Sequence, residues 1–317
     1  MSPTALTPAQ QDACDGLLDL GGERPTFRTD LARELHTRLT EATTSIAERL
    51  ELTGQTLWLD KRALAGAHGC ELRYHTDRAQ GFPGWSPAMA RGAIVHRAIQ
   101  LAPFVSGPST PLEVVDEAMA RIAHDGDDRS PAIWLRTASP GEVAELRAEA
   151  TEVVTKFDEC FPPIVAKWRP RVEATVRHDL HGGTITLGSR PDLALGKADG
   201  HQARVLIVDF KTGQRYHGHG DDLRFCALVE TLRLGVPPFR IATYYLDAAR
   251  WDHEDVNEDV LELAVRRTID GCVKLAQVLL NEREPSLSPG PLCNYCVLRH
   301  ECAGAQQWAE TAASLNP

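Results

Sequence analysis

Three residues in the middle of the chain have types and spacing suited to divalent-metal chemistry. Asp192 lies close to the end of one predicted strand, and Asp209 and Lys211 end another. Because side chains two residues apart on a strand point to the same side, Asp209 and Lys211 project together. Two carboxylates at adjacent strand ends suit Mg²⁺ or Mn²⁺, which can activate water, and a lysine can stabilise charge on a phosphate.

A simpler explanation exists for each of these residues. An Asp-x-Lys sequence at the end of a strand is commonly only solvated polarity, and Lys-Thr-Gly is a common turn. The Arg190-x-Asp192 sequence after a different strand favours the metal site, because it supplies a second carboxylate near the first.

The elements that must position these residues follow from apolar periodicity and from Gly and Pro breaks. Residues 1–55 are predicted to be mostly helical, and the other predicted helices cover 87–101, 111–124, 139–160, 221–234 and 256–283. The predicted strands cover 172–180, 184–188, 204–210 and 240–246. We expect 184–192 to pair with 204–211 through a turn at Asp199-Gly200. The pattern predicts an α/β fold, with a small mixed, mostly antiparallel sheet flanked by helices.

The sequence Gly188-x-Arg-x-Asp192, followed by Val208-Asp-Phe-Lys-Thr-Gly213, resembles the RecB-like branch of the PD-(D/E)XK nucleases. This branch includes CRISPR-associated and helicase-linked exonucleases. The resemblance covers about residues 65–305 and implies a restriction-endonuclease-like core. It also implies that Asp192 and Asp209 bind divalent metal and that Lys211 positions or activates the attacking water.

The same resemblance extends to two residues upstream. In this branch a helix carries Gly-x-x-x-His, and Gly92 and His96 fit that spacing, which implies that His96 joins Asp192 and Asp209 in holding Mg²⁺ or Mn²⁺. A glutamate on the first core strand often faces the site, and Glu173 matches by position as a further catalytic residue. Without the resemblance, His96 is more simply a surface or core histidine, and Glu173 an exposed strand residue.

One motif of the family is missing. The helix after Lys-Thr-Gly commonly carries a Gln and then a Tyr, whereas this chain has Arg224 and Leu228 at those places. Arg224 and Arg190 are the expected contacts to nucleic-acid phosphates. Tyr74, Phe82 and Trp85 have side chains that can stack on bases, although core packing is the commoner use of such side chains.

The tail contains three cysteines within ten residues, Cys293, Cys296 and Cys302. This spacing in a Pro/Gly-rich segment predicts that their thiolates share one metal centre. By spacing alone, the fourth ligand is open among Cys70, Cys160, Cys226, Cys272 and His300.

The family resemblance selects Cys70. RecB-like nucleases with an iron–sulfur cluster have one cysteine before the nuclease core and three after it. The resemblance therefore implies a 4Fe–4S cluster on Cys70, Cys293, Cys296 and Cys302, with zinc as the alternative, since both accept four thiolates. Glu71 stands where the family usually has a proline.

Charge and composition limit the function further. The formal net charge is −10, which opposes binding to a polyanion, yet residues 165–215 carry nine basic against five acidic side chains. Residues 61–100 likewise carry six basic against two acidic side chains, so the overall acidity opposes DNA binding without excluding it. The chain has no apolar run long enough to cross a membrane and no signal-peptide pattern, and we expect a cytoplasmic protein.

These observations predict a Mg²⁺/Mn²⁺-dependent deoxyribonuclease, an exonuclease on DNA ends or single strands with a structural iron–sulfur cluster. A helicase or another repair or recombination protein is the expected partner in trans. The predicted domains are an N-terminal helical segment (1–60), a nuclease domain (61–305) and a tail (306–317). Within the nuclease domain lie a helical insertion (103–165) and a cysteine-rich clasp (285–305). The alternatives are a non-catalytic DNA-binding or assembly subunit and a zinc-stapled regulatory protein.

Overall fold

The computed structural model describes residues 5–80, 84–104, 109–126, 130–216 and 218–315. Its internal contacts divide the chain into two compact units. The first unit comprises residues 1–33, 84–176 and 189–262, and the second comprises 34–83, 177–188 and 263–317.

The helices begin at capping residues in several cases, as at Ser86, Thr110 and Ser139, each followed by a proline that suits the first helical turn. Their bounds are α1 Pro8–Asp12, α2 Leu31–Leu52, α3 Lys61–His68, α4 Glu71–Gln80, α5 Pro87–Leu101, α6 Pro111–Asp125, α7 Ala132–Thr137, α8 Pro140–Cys160, α9 Gly218–Leu234, α10 Glu258–Leu279 and α11 Ala303–Leu315.

The strands are short, as is usual for a small mixed fold. Their bounds are β1 Leu57–Leu59, β2 Arg171–Val172, β3 Val176–Leu180, β4 Ile185–Ser189, β5 Leu193–Leu195, β6 Leu206–Lys211, β7 Arg240–Tyr245 and β8 Arg250–Asp255. Among the described residues, no helix has the length and apolar character that crossing a bilayer requires.

The first unit contains a five-stranded sheet in the order β2-β5-β6-β7-β8. The β6–β7 pair is parallel, and the other three pairs are antiparallel. With helices packed beside it, this sheet confirms the predicted α/β fold with a mixed, mostly antiparallel sheet.

The pairing of the strands differs from the prediction in one respect. β6 pairs with β5, with Leu193 opposite Val208, whereas β4 lies in a second sheet of order β1-β4-β3. Pro191 separates β4 from β5, and a proline cannot donate to a strand ladder. Asp192 therefore directly precedes β5, and the expected pairing of 184–192 with 204–211 was wrong, because residues 193–195 pair with β6 instead.

The core of the first unit lies between the sheet and the helices α5, α6 and α8. Phe157, Phe161, Phe210 and Tyr244 form an edge-to-face aromatic group at its centre, apart from the stacked pair Phe157–Phe161. Because Phe210 packs into this core, its neighbours Asp209 and Lys211 project to the other side of β6.

The second unit contains the three-stranded sheet, in which β1 runs parallel to β4. The Trp58 ring covers Gly188 so closely that an added Cβ would overlap the ring. This contact explains the small residue at that place in the strand. His36 Nδ1 and His178 Nε2 share a hydrogen bond of 2.9 Å in the same unit.

Candidate active site

Asp192 is the residue around which the other candidate side chains gather. It is buried, with 8% of its surface exposed. Its Oδ2 accepts a hydrogen bond from the Phe210 N–H at 2.6 Å, and its Oδ1 lies 3.3 Å from His96 Nδ1. The backbone of β6 thus fixes one oxygen of this carboxylate and leaves the other facing α5.

His96 reaches Asp192 because α5 lies close to the turn after Lys211. A Cβ added to Gly92, one helical turn before His96, would lie 2.9 Å from Thr212 Oγ1. Glycine at this place therefore permits the close approach that any larger residue would disturb. Burial alone would lower the pKa of His96, but the Asp192 carboxylate outweighs it and raises that pKa above its ordinary value.

Glu173 follows β2, although it was predicted to lie on a strand. Its backbone has φ 49, a left-handed conformation that is uncommon outside glycine, and its N–H donates to the Asp192 carbonyl at 3.1 Å. The bend turns the Glu173 carboxyl toward that of Asp192. Burial and the negative charge of Asp192 raise the pKa of Glu173 to about 7.

His96, Glu173 and Asp192 together form a compact group of possible metal ligands. One nitrogen or oxygen atom from each lies within 4.8 Å of the other two. The raised pKa of Glu173 shows that two charged carboxylates here repel each other, and a divalent cation bound by both of them and the imidazole would offset that repulsion. The residues present therefore fit a hard divalent metal ion such as Mg²⁺ or Mn²⁺.

Asp209 and Lys211 lie beside this group and form an ion pair with each other. Asp209 is 2% exposed, and its charge acts on His96 together with that of Lys211. The predicted ligand set was His96, Asp192 and Asp209, whereas the closest group contains Glu173 in place of Asp209. Asp209 lies on the same face of β6 as Lys211, which provides its counter-charge.

Asp247 positions the Lys-Thr-Gly turn, a role that no sequence motif indicates. Its Oδ2 accepts from the Gly213 N–H at 2.5 Å, and its Oδ1 accepts from Arg91 Nη1 at 2.9 Å. Lys156 Nζ donates to its backbone carbonyl at 2.8 Å. Asp247 thereby joins α5, α8 and the end of β6, and a lone turn aspartate gives no local signal of such a function.

The two predicted phosphate contacts have different surroundings. Arg190 is 62% exposed and pairs with Glu173 at 2.5 Å, at the edge of the candidate site. Arg224 is held by two carboxylates, Glu254 at 2.8 and 3.1 Å and Asp221 at 2.9 Å. Leu228, at the place of the family's tyrosine, is fully buried, so it offers no surface to a substrate.

The four cysteines predicted to bind a cluster all belong to the second unit and are free, partly exposed thiols. Among the described residues, their sulfurs do not form a group of three within 4.8 Å of one another. Cysteine thiolates are suitable ligands for iron and for zinc. Cys296 lies near Cys293 and near Arg73 and Asp77 of α4, the helix that follows Cys70.

Glu71, next to Cys70, joins α4 to the segment before the C-terminal cysteines. Its buried carboxylate accepts from Arg283 Nη1 at 2.6 Å, from Arg283 Nη2 at 2.7 Å and from the Ser286 N–H at 2.7 Å. The Leu72 N–H donates to the Ser286 carbonyl at 3.1 Å. The Arg283 guanidinium lowers the pKa of Glu71 to about 2. Within the second unit, an ion pair thus fastens the Cys70 region to the tail.

The three aromatic residues considered for base stacking are placed as follows. Tyr74 is buried in the second unit, and Trp85 packs against the core of the first. Phe82 lies outside the described residues.

Two solved structures resemble the chain only weakly. No curated protein is significantly similar to the chain in sequence. A candidate exonuclease from Eubacterium rectale has 14% identity and a TM-score of 0.48, over 80% of this chain and 90% of its own. The protein SSO0001 has 12% identity and a TM-score of 0.30, over 73% and 92% respectively. Both likenesses are too weak to bear on the function of this chain.

The sequence model of the PD-(D/E)XK nuclease superfamily matches residues 62–303, which is most of the chain. The matched range contains all of the candidate site residues named above, from Cys70 to Cys302. The chain therefore belongs to the PD-(D/E)XK nuclease superfamily.

Proposed function

We propose that the protein is a Mg²⁺- or Mn²⁺-dependent deoxyribonuclease whose active site is centred on Asp192. The observation that carries this proposal is the group formed by His96, Glu173 and Asp192, with the Asp209–Lys211 pair beside it. Nucleases of this superfamily act on phosphodiester bonds with divalent metal ions, and DNA is the implied substrate.

Each residue of the site has a distinct task in this proposal. Asp192, Glu173 and His96 would hold the cation, and the cation would supply an activated water and would offset charge on the scissile phosphate. Phe210 keeps Asp192 oriented through its N–H. Lys211 orients the attacking water and stabilises negative charge on the phosphate oxygens, and Asp209 holds the Lys211 ammonium in place.

We further propose that the chain belongs to the RecB-like branch and cuts DNA ends or single strands as an exonuclease. The support is the packing of Gly92 against the Lys211-Thr212 turn, which gives a physical reason for the Gly-x-x-x-His spacing of that branch. The nuclease domain would then comprise residues 61–305, with a repair or recombination protein such as a helicase as partner.

The second metal centre in this proposal is a structural 4Fe–4S cluster on Cys70, Cys293, Cys296 and Cys302. The Glu71–Arg283 pair supports it, because it holds the residues next to Cys70 beside the tail segment that leads to the other three. Anaerobic purification should give a brown protein with absorbance near 400 nm, which Cys296→Ser should lose and the control Cys226→Ser should keep. A colourless protein with stoichiometric zinc would contradict the cluster and favour a zinc centre.

The nuclease activity is tested by digestion of end-labelled single- and double-stranded DNA with Mg²⁺, with Mn²⁺ and with EDTA. Wild type should digest DNA only with metal, and Asp209→Asn and Lys211→Ala should not. Asp259→Asn, which changes an exposed residue of α10, is the matched control and should behave as wild type. Absence of digestion by wild type with either metal would overturn the proposal and favour a DNA-binding or assembly subunit, a role compatible with the buried Leu228.

A further inference from the structure

A cavity of about 610 Å³ lies in the first unit, at the end of the five-stranded sheet opposite the candidate active site. Leu195, the last residue of β5, and Leu206, the first of β6, line it. Asp192 and Asp209 lie at the other ends of these two strands. Leu206 and Asp209 are three residues apart, which is about 10 Å along a strand. The cavity is therefore a separate feature from the metal site.

The floor of this cavity is apolar. It consists of Leu18, Leu195, Leu206 and Phe239, all of them buried. The guanidinium of Arg24 lies 3.9 Å from the centre of the Phe239 ring. A ligand with a flat or apolar part could lie on this floor without losing hydrogen bonds to water.

The rim, in contrast, is strongly basic in a chain whose net charge is −10. One carboxylate, that of Asp199, lines the cavity together with five basic side chains, Arg24, Lys167, Arg169, Lys197 and Arg204. Four of these five come from the basic segment 165–215. The fold thus concentrates the positive charge of that segment around one opening.

Part of this charge is already balanced by acidic neighbours. Arg24 pairs with Asp19 at 3.2 Å, and Arg204 pairs with Asp199 at 3.3 Å. Lys167, Arg169 and Lys197 form no ion pair with any residue that the structure describes. Three exposed cations at one cavity attract an anion, and the attraction is strongest for a group with more than one negative charge.

The basic residues are held on a fixed backbone. The Gly196 N–H donates to the Trp168 carbonyl at 2.7 Å, which joins the segment of Lys167 and Arg169 to that of Lys197. Gly196 has φ 98, and a Cβ there would overlap the Arg204 carbonyl oxygen. The three chain segments approach each other so closely that only glycine fits at position 196. Because this backbone is already ordered, binding of an anion to the basic side chains costs little chain entropy.

From this arrangement we infer that the cavity is a nucleotide-binding site, which places the phosphate at the basic rim and the base or sugar on the apolar floor. An inorganic anion would use only the rim, and an apolar molecule only the floor. The volume lies within the range of about 300–1,000 Å³ that small-molecule sites occupy. The phosphate belongs either to a free nucleotide or to a nucleic-acid strand. This binding does not depend on hydrolysis at Asp192.

The test measures binding in EDTA, so that it does not require nuclease activity. Calorimetry with dAMP and with inorganic phosphate, and fluorescence anisotropy with labelled single-stranded dT10, would compare wild type, Lys197→Glu and Lys167→Glu. Arg250→Glu is the matched control, because Arg250 is an exposed residue of β8 that does not line the cavity. Circular dichroism confirms that each variant is folded.

We expect each cavity variant to weaken dAMP or dT10 binding by about tenfold and the control variant to match wild type. Weakened dAMP binding identifies a site for free nucleotides, whereas an effect on dT10 alone identifies a site for a strand. For dT10, the slope of log affinity against log salt should become shallower by about 0.7 for each phosphate that the variant no longer neutralises. Unchanged binding of both ligands in both variants would overturn the inference, as would inorganic phosphate binding as tightly as dAMP.

Discussion

The Phe210 N–H donates a hydrogen bond of 2.6 Å to Asp192 Oδ2, although 18 residues separate them in the chain. This bond lies within the buried part of the candidate site and determines which oxygen of Asp192 faces His96. The bond holds the Asp192 carboxylate in a fixed orientation, with its other oxygen beside His96 in the group of possible metal ligands. Asp192 is therefore both a structural acceptor and a candidate ligand, and substitutions can separate these two roles.

Asp192→Ala and Asp192→Asn should differ in stability. Alanine leaves the buried Phe210 N–H without its acceptor and should cost about 1–3 kcal/mol, whereas the Asn carbonyl can accept the same bond. Urea unfolding followed by circular dichroism measures the difference. Equal free energies of unfolding for the two variants would show that the hydrogen bond contributes nothing.

Gly92→Ala should lower the rate of DNA hydrolysis, by about tenfold, because the new Cβ would displace α5 or the Thr212 turn from Lys211. Alanine normally stabilises a helix relative to glycine, so a loss of activity without loss of helix points to the contact itself. The double variant Gly92→Ala/Thr212→Ala removes Thr212 Oγ1, the atom that the Cβ meets, and should recover part of the rate. Strictly additive losses in the double variant would contradict this explanation.

Glu71→Gln should destabilise the protein by about 3 kcal/mol at pH 7, since it leaves the Arg283 guanidinium without its buried partner. Glu282→Gln, which removes the more exposed pair with Arg49, is the control and should cost less than about 1 kcal/mol. Thermal unfolding of both variants beside wild type measures the two effects. Similar losses of stability in the two variants would show that burial does not strengthen the Glu71–Arg283 pair.

The stabilisation by Glu71 should also depend on pH in a defined direction. Its pKa is about 2 in the folded protein, below the value of 4.5 for an unperturbed glutamate. A carboxylate with a lowered folded pKa stabilises the protein above the unfolded pKa, and that stabilisation disappears as the pH falls from about 4.5 toward 2. The difference in melting temperature between wild type and Glu71→Gln should therefore shrink over this interval. A difference in melting temperature that stays constant down to pH 3 would contradict the lowered pKa of Glu71.

Arg190 and Arg224 should respond differently to substitution by glutamine. Arg190 is exposed beside the metal-ligand group, and Arg190→Gln should weaken DNA binding. The slope of log affinity against log salt should become shallower by the amount that corresponds to about one lost phosphate contact. Arg224 is bound by Glu254 and Asp221, so Arg224→Gln should lower stability and leave DNA affinity unchanged. Anisotropy titrations at several salt concentrations decide between them, and an equal loss of affinity in both variants would refute the distinction.

Much of the fold could be predicted because its elements carry strong local signals. The helix predicted over 87–101 has those bounds in the structure, since Ser86 caps it and Pro87 begins it. β6 was evident from its apolar run. β8, with the sequence Arg-Trp-Asp-His-Glu-Asp, was missed because it is an edge strand with charged, partly exposed residues and no apolar alternation.

The candidate site could be predicted in its residues but not in their grouping. The motifs named Glu173, His96 and Asp192, which the structure brings within ligand distance of one another. That Glu173 rather than Asp209 joins this group depends on a left-handed bend after β2 and on the Asp209–Lys211 pair, and neither is visible as a pattern. The role of Asp247 depends wholly on contacts between distant segments.

The central claim, that Asp192 and its neighbours hold a catalytic divalent cation, is tested most directly by calorimetric titration of Mn²⁺ into metal-free protein. Wild type and the control Asp252→Asn should bind Mn²⁺ alike, whereas Asp192→Asn should bind it about 10- to 100-fold more weakly while remaining folded. Mn²⁺ binding of equal affinity in Asp192→Asn and wild type would contradict the claim.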